Sequence, residues 1–125
     1  MKKSKNTGST FDSFLKEENI LVKGIKHDGD KPDPTLICKD ALWGISKAFS
    51  YGAKKYGRNN YKQGIEMTRL LAAAMRHISQ YNEGEDIDEE SGNNHLFHAG
   101  AAICMAIYMH CNRPEMDDRY KNEKK

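Results

Sequence analysis

The sequence lacks the features that define several large classes of protein. Its 125 residues include three Cys, three Pro and one Trp, and the formal net charge is only +2. Its apolar runs are far shorter than the roughly 18 residues that cross a bilayer, and no apolar stretch follows Met1-Lys2-Lys3. The cysteines are odd in number and form no CxxC pair, which favours reduced thiols. We therefore expect a cytoplasmic protein without a membrane span, a secretory signal or a disulfide framework.

The composition that remains is that of one small, polar globular domain. Hydrophobic residues make up 38% of the chain and charged residues 30%, with a mean hydropathy of -0.84. The content of Leu, Ile, Met and aromatic residues is too high for a disordered chain, and the length allows one modest core. We predict a flexible tail over residues 1–10, a single α-helical domain over residues 11–113 and a second flexible tail over residues 114–125.

The charges are segregated along the chain. Residues 1–64 carry 13 basic and 7 acidic residues, whereas residues 65–125 carry 7 basic and 11 acidic ones. A basic stretch without any acid runs from Lys47 to Lys62, and six acids lie between Glu83 and Glu90. Two such clusters suit a ligand that combines a metal ion with phosphates, although solvated loops give the same pattern.

Apolar periodicity predicts three main helices and no convincing pair of strands. Two prolines and a glycine make residues 27–34 a long N-terminal loop. Asp33-Pro34 reads as an N-cap followed by a proline in the first turn, so the first helix is expected over about 35–56. The second is expected over about 66–83. The third, over about 94–111, is apolar nearly all round and should be central and buried. The predicted fold is an all-α bundle of three to five helices.

Three histidines are expected to meet where the second and third helices are joined. A loop of about nine residues makes these helices antiparallel neighbours, which places His77 opposite His98, with His95 one turn away. With Glu85 and Asp88 in the loop, the group is a candidate metal or acid–base site. Glu85, Asp88, His95 and His98 are the predicted metal ligands, and His77, Glu85 and Asp88 the predicted catalytic residues. The structural alternatives are that His77 is a core histidine and that His95 caps the start of a helix.

The identity of the metal stays open at this point. Carboxylates suit a hard ion such as Mg²⁺ or Mn²⁺, whereas histidines favour Mn²⁺, Zn²⁺ or Fe. Mg²⁺ or Mn²⁺ is the cofactor that we expect.

Donor-bearing side chains cluster around the end of the first helix. Lysine, arginine and asparagine fill five of seven positions there, and such a group can bind a polyphosphate or the edge of a base. The alternative is a solvated helix end whose lysines complement the helix dipole. Arg76 in the second helix can bind a phosphate bidentately, and a tyrosine can stack on a base. The predicted nucleotide-binding residues are Lys31, Lys54, Lys55, Arg58, Asn60, Tyr61 and Arg76.

Four blocks of the sequence together resemble a known family. They are HDGDKPDPTLI at residues 27–37, YGAKKYGRNNY at 51–61, AAAMRH at 72–77 and GEDIDEESGNNHLFHAGAA at 84–102. Their content and order resemble the dATP/dGTP diphosphohydrolase N-terminal domain of phages, which is associated with the all-α, MazG-like nucleoside triphosphate pyrophosphohydrolases. The motif positions of that family include every predicted metal ligand and catalytic residue named above.

The resemblance implies metal-dependent hydrolysis of a (deoxy)purine nucleoside triphosphate to monophosphate and pyrophosphate, in the cytoplasm of a phage-infected bacterium. MazG-like enzymes bind Mg²⁺ with ExxE and ExxD carboxylate pairs on two facing helices, and this sequence has no such helical pair. The alternative is therefore a phage protein that binds or sequesters a nucleotide without hydrolysing it. Because a bundle this small often completes its site at a subunit interface, we expect a homo-oligomer. Nucleic acid is not an expected partner, since the acidic loop would repel its phosphates.

Overall fold

The computed structural model describes residues 23–122, and helices are the regular secondary structure within that range. The chain divides into two compact units, residues 1–34 and residues 35–125. The predicted tail over residues 1–10 and the first part of the predicted domain lie outside the described residues. Within residues 23–122 the predicted all-α class is confirmed. The α-helices are α1 (Lys39–Tyr56), α2 (Met67–Asn82) and α3 (His95–Asn112), and short 3₁₀ turns lie at Pro34–Leu36, Asn60–Gln63 and Pro114–Met116.

The described part of the first unit is the predicted loop. Residues 23–33 contain no helix or strand, and a turn is closed where the backbone N–H of Lys31 donates to the carbonyl oxygen of Asp28 at 3.1 Å. Lys31 is exposed in this unit.

The predicted start of α1 is wrong by four residues. Pro34 begins a separate 3₁₀ turn instead of the helix, and α1 begins at Lys39 behind Cys38, which makes no side-chain cap. The intervening segment contains the β-branched residues Thr35 and Ile37, whose side chains lose rotamer freedom in an α-helix. Fixed φ at a proline suits a 3₁₀ turn as well as an α-helix. The end of α1 at Gly57 was predicted correctly, because its φ of 99° is one that glycine adopts without strain.

The predicted bounds of α2 and α3 agree with the structure to within about one residue. The two helices form an antiparallel hairpin, and α1 packs on α3. Close approach between α1 and α3 depends on two glycines. A Cβ atom on Gly44 would clash with the ring of Phe97, and one on Gly100 would lie 2.7 Å from the side chain of Ile45.

The hydrophobic core lies between α2 and α3, towards the end of the hairpin that is away from the connecting loop. Met67 and Leu70 of α2 pack there with Ala106 and Met109 of α3. Partly buried side chains from the rest of the unit complete it: Tyr61, Ile65, Leu71, Met105, Tyr108 and Met116.

The expectation that α3 is buried all round is wrong on one face. Ala99, Ala102 and Ala106 are buried, but Leu96, Ile103 and Ile107 are 45%, 45% and 57% exposed. Within the part of the chain that the structure describes, α3 contacts α1, α2 and the 3₁₀ turns at Asn60–Gln63 and Pro114–Met116, and the face with Leu96, Ile103 and Ile107 stays uncovered.

The segment after α3 packs back onto the bundle. The guanidinium of Arg113 donates to the carbonyl oxygen of Lys62 at 2.9 Å. Asp118 accepts hydrogen bonds from the backbone N–H of Thr68 at 2.8 Å and from its hydroxyl at 2.6 Å, at the start of α2. Contacts with the bundle therefore extend to Asp118, which lies in the predicted tail. The boundary between domain and tail at residue 113 stays a prediction. Among the described helices, none is long and apolar enough to cross a membrane.

Candidate functional site

The α2–α3 hairpin brings three histidines into contact near the connecting loop. The Nδ1 atoms of His77 and His95 lie 2.9 Å apart. The ring of His77 also stacks on that of His98, with centroids 4.8 Å apart and planes 19° apart. His77 comes from α2, and the other two lie one turn apart on α3. The structure thus places together the three histidines that the hairpin geometry predicts to be neighbours.

The connecting loop doubles back so that its carboxylates lie beside the histidines. The backbone N–H of Asp88 donates to the carbonyl oxygen of Asn93 at 2.8 Å, and that of Gly92 donates to the carbonyl oxygen of Asp88 at 2.7 Å. Asn94 ends the loop and caps α3, because its side-chain oxygen accepts from the N–H of Leu96 at 2.7 Å. The loop therefore has a defined shape from Asp88 to the first turn of α3.

Two carboxylates of this loop approach the histidines. Asp88 Oδ2 lies 3.8 Å from His98 Nε2, and Glu85 Oε2 lies 3.4 Å from His95 Nε2. Asp88 Oδ2 also accepts a hydrogen bond from the backbone N–H of Ser91 at 3.0 Å. The hydroxyl of Ser91 is hydrogen-bonded to His98 Nε2 at 2.6 Å. His98 is thus already partnered, whereas His95 faces a carboxylate.

Three of these residues fit a divalent metal ion. His77, Asp88 and His95 each offer one ligand atom, and the three atoms lie within 4.8 Å of one another. His95 is fully buried, and its Nε2 makes no hydrogen bond with any described residue. Glu85 lies 3.4 Å from this nitrogen but does not form a hydrogen bond with it, and an imidazole nitrogen is a common metal ligand. Metal–ligand distances of about 2.1 Å place ligand atoms no more than about 4.2 Å apart, so binding requires only a small contraction.

The pKa shifts of His77, His98 and Asp88 suit the binding of a cation. Burial lowers the pKa of His77, and the neighbouring His98 and His95 lower it further. Burial also lowers the pKa of His98. Burial acts to raise the pKa of Asp88, but hydrogen bonds from Ser91 outweigh it and the net shift is downward. A lowered pKa favours the neutral ring of His77 and the ionised carboxylate of Asp88, which are the forms in which these two groups bind metal.

A hydrogen-bonded network joins the same loop to α1. One carboxylate oxygen of Glu90 accepts from the hydroxyl of Tyr51 and from the ammonium of Lys55, each at 2.6 Å. The hydrogen bond between Lys55 and Glu90 is the largest cause of two shifts: it raises the pKa of Lys55 and lowers the pKa of Glu90. The structure therefore pairs Lys55, a predicted nucleotide ligand, with a carboxylate of the acidic loop.

A cleft of about 1300 Å³ lies between α1 and α2. Its polar lining includes Arg58, Arg69 and Arg76, and Met105 of α3 forms part of its apolar lining. Among the described residues that line it, none is acidic. Arg76 directly precedes His77 in α2, so the cleft and the histidine cluster occupy neighbouring faces of that helix. An acid-free cleft with three guanidinium groups suits an anionic ligand.

Four of the seven predicted nucleotide-binding residues line the cleft, and the other three do not. Arg58, Asn60, Tyr61 and Arg76 line the cleft, and the ring of Tyr61 also packs edge-on against Tyr108 in the core. Lys55 is bonded to Glu90, and Lys54 is exposed but does not line the cleft. Lys31 belongs to the first unit.

Four residues of this region are absent from the predicted site residues: Tyr51, Arg69, Glu90 and Ser91. Arg69 lies seven residues before Arg76, a spacing that places both on one helix face and could have revealed it. Ser91 lies in the block at residues 84–102 that resembles the family, but it is not among the predicted site residues. Tyr51 and Glu90 are 39 residues apart, and no local pattern pairs them.

Two comparisons with known proteins find matches. The model of the family described as "dATP/dGTP diphosphohydrolase, N-terminal" matches residues 22–119. A protein of Salmonella phage PMBT28 named "dATP/dGTP diphosphohydrolase" is 35% identical over 98 residues, which are 78% of this chain and 33% of that protein. The chain thus spans about a third of the length of this relative. No solved structure matches.

Proposed function

Because the chain belongs to the dATP/dGTP diphosphohydrolase N-terminal family, we propose that it acts in the metal-dependent hydrolysis of a deoxypurine nucleoside triphosphate to monophosphate and pyrophosphate. The observation that carries the proposal is the convergence of His77, Asp88 and His95 next to an acid-free cleft that contains arginines. The resemblance stated from the four sequence blocks is confirmed at the level of the family, and the activity is the part that we propose.

His77, Asp88 and His95 would hold the metal, with Mg²⁺ or Mn²⁺ as the expected ion. When bound, such an ion polarises a phosphoryl oxygen and lowers the pKa of a water molecule. Asp88 is fixed for this role by the N–H of Ser91, and His95 by its burial. Glu85, whose side chain is 47% exposed, is able to accept a proton from the attacking water. His98 orients the loop through Ser91.

The cleft would bind the nucleotide. Arg69 and Arg76 lie two helical turns apart, about 10 Å along the axis, so they can contact different parts of one triphosphate chain. Arginine binds phosphate oxygens bidentately, and fixed positive charge stabilises the charge that develops in phosphoryl transfer. Arg58 adds to this charge from the loop after α1, while Asn60 and Tyr61 would contact the base or sugar.

A protein that binds the nucleotide without hydrolysing it is the second candidate. One observation favours it: the hairpin helices α2 and α3 contain no Asp or Glu. The carboxylate pairs of MazG-like enzymes therefore have no counterpart on these helices, and the carboxylates of the site come from the loop instead.

We also propose that the protein forms a homo-oligomer. Leu96, Ile103 and Ile107 share one face of α3, and Met75 and Ile78 of α2 are 67% and 47% exposed. Exposed apolar side chains in such number on a small domain are typical of an interface. Light scattering on the pure protein tests this, and a monomer at micromolar concentration would contradict it.

The decisive experiment measures binding and turnover separately. The purified protein is incubated with a panel of deoxynucleoside and ribonucleoside triphosphates with Mg²⁺ or Mn²⁺, and pyrophosphate release and calorimetric binding are recorded. We expect saturable binding and release with deoxypurine triphosphates, and loss of release in Asp88→Asn but not in the neighbouring Asp86→Asn. Binding without release in either metal would overturn hydrolysis and leave the second candidate. Absence of binding would overturn both.

A further inference from the structure

We propose that Glu90 is a positioning residue: through Tyr51 and Lys55 of α1, it fixes the acidic loop so that Asp88 and Ser91 lie against the histidine cluster. This inference rests on the proposed function where it concerns metal binding. In this arrangement Lys55 holds the loop of the metal site through Glu90 and is not the phosphate ligand that the sequence predicts.

The contacts form a closed circuit around the site. Glu90 Oε2 accepts both hydrogen bonds from α1 at 2.6 Å. The next residue, Ser91, is bonded to His98 Nε2 at 2.6 Å. The ring of His98 in turn packs edge-on against the ring of Tyr51, with centroids 5.9 Å apart. The path from Tyr51 through Glu90, Ser91 and His98 thus returns to Tyr51.

Among the hydrogen bonds of the described residues, those between the loop and α1 are made by Glu90, whereas the others join the loop to itself, to α2 or to α3. The bonds between Asp88, Gly92 and Asn93 close the turn but make no contact with α1. Glu90 stands two residues after Asp88, so anchoring its carboxylate restricts the rotation of the whole turn. A metal ligand on a loop is positioned only as well as that loop is anchored.

The exposure of the Lys55–Glu90 ion pair distinguishes a positioning role of Glu90 from a role in the stability of the fold. The side chains of Lys55 and Glu90 are 43% and 61% exposed. Ion pairs this exposed contribute little to global stability. Removal of residues that orient metal ligands, in contrast, typically weakens metal binding by about 10- to 100-fold. Loss of Glu90 should therefore affect metal affinity far more than the melting temperature.

The test compares Glu90→Ala with Glu89→Ala, a change to the adjacent, exposed glutamate. Mn²⁺ alone is the probe, and its dissociation constant is measured by electron paramagnetic resonance on the full chain. Hydrogen exchange of the loop amides is measured on the metal-free protein. We expect Glu90→Ala to weaken Mn²⁺ binding by about tenfold or more and to speed exchange at Asp88 and Gly92. We expect Glu89→Ala to change neither.

Substitutions of Lys55 and Tyr51 in α1 provide a second test of the same inference. Lys55→Met and Tyr51→Phe each remove one hydrogen bond to Glu90 and should weaken Mn²⁺ binding, whereas Lys55→Arg keeps the ion pair and should preserve it. An unchanged melting temperature across these variants excludes general unfolding as the cause.

The outcomes separate this inference from the proposed function. Unchanged loop exchange in Glu90→Ala overturns the anchoring role, whatever the metal result. Faster exchange with unchanged Mn²⁺ affinity overturns the positioning of the metal site. If the unaltered protein binds no Mn²⁺, the metal-dependent function fails, and with it the positioning of a metal, while faster exchange in Glu90→Ala still supports anchoring of the loop.

Discussion

The Nδ1 atoms of His77 and His95 lie 2.9 Å apart across the interface between α2 and α3. At this distance one nitrogen donates a hydrogen and the other accepts it, so the two atoms cannot both carry a proton. The pair is therefore stable when at least one ring is neutral. A second proton would place two positive rings in contact, and a bound cation competes with protons for the same nitrogens.

The stability of the protein should fall as the pH is lowered from 7.5 to 5.5. Burial and the neighbouring histidines lower the folded-state pKa of His77, and burial lowers that of His98, below the ordinary value of 6.5. The unfolded chain then binds protons more readily than the folded one. The contribution of His77 and His98 to the free energy of unfolding is fully present above about pH 6.5. It is lost as the pH falls through the pKa values of these groups in the folded protein.

Urea unfolding at several pH values measures this loss. His77→Gln should flatten the dependence, while His110→Gln, a change to an exposed histidine of α3, should leave it unchanged. A free energy of unfolding that stays constant from pH 7.5 to 5.5 would contradict the role of the histidine cluster.

Arg76→Met should weaken binding of a deoxynucleoside triphosphate. A charge-assisted hydrogen bond contributes about 1.5–3 kcal/mol, so the dissociation constant should rise by about 10- to 100-fold. Arg69→Met should have a smaller effect in the same direction, because Glu66 already accepts from Arg69 at 3.2 Å. Isothermal titration calorimetry measures both, and Arg119→Met is the control outside the cleft. Equal affinities for the Arg76 and Arg119 variants would exclude the cleft as the phosphate site.

Asp118→Ala should destabilise the bundle although it lies beyond the last α-helix. Asp118 binds both the N–H and the hydroxyl of Thr68 at the start of α2, and loss of such a cap costs about 0.5–2 kcal/mol. Asp118→Asn keeps one acceptor oxygen and should lose less. Chemical denaturation of the three proteins measures the difference. Equal stability of all three would show that the contact between Asp118 and Thr68 does not support the fold.

The hairpin was accessible from the sequence because its signals are local. The apolar stripes of α2 and α3 define both helices, Gly84 marks the end of α2, and counting along the loop places His77 opposite His98. The start of α1 was not accessible in this way. Asp33-Pro34 is a good helix start by local rules, but Thr35 and Ile37 disfavour continuation, and the helix begins only after Cys38.

The contacts of α1 with the rest of the unit could not be predicted. Lys55 and Glu90 are 35 residues apart, and their pairing depends on how α1 crosses α3. That crossing is set by the close packing at Gly44 and Gly100, which a search for charged motifs does not consider. The same crossing creates the cleft, since α1 and α2 both pack on α3. Most of the basic residues of the site are therefore recognisable in the sequence, whereas their arrangement depends on the packing of the helices.

The most direct test of the metal site is a titration of Mn²⁺ into the metal-free protein, followed by electron paramagnetic resonance and by the imidazole signals in nuclear magnetic resonance. We predict one saturable site per chain, with selective broadening of the His77 and His95 signals. Asp88→Asn should weaken that site at least about tenfold, and Asp86→Asn should not. Absence of saturable binding, or binding that Asp88→Asn leaves unchanged, would contradict the assignment of His77, Asp88 and His95 as the metal site.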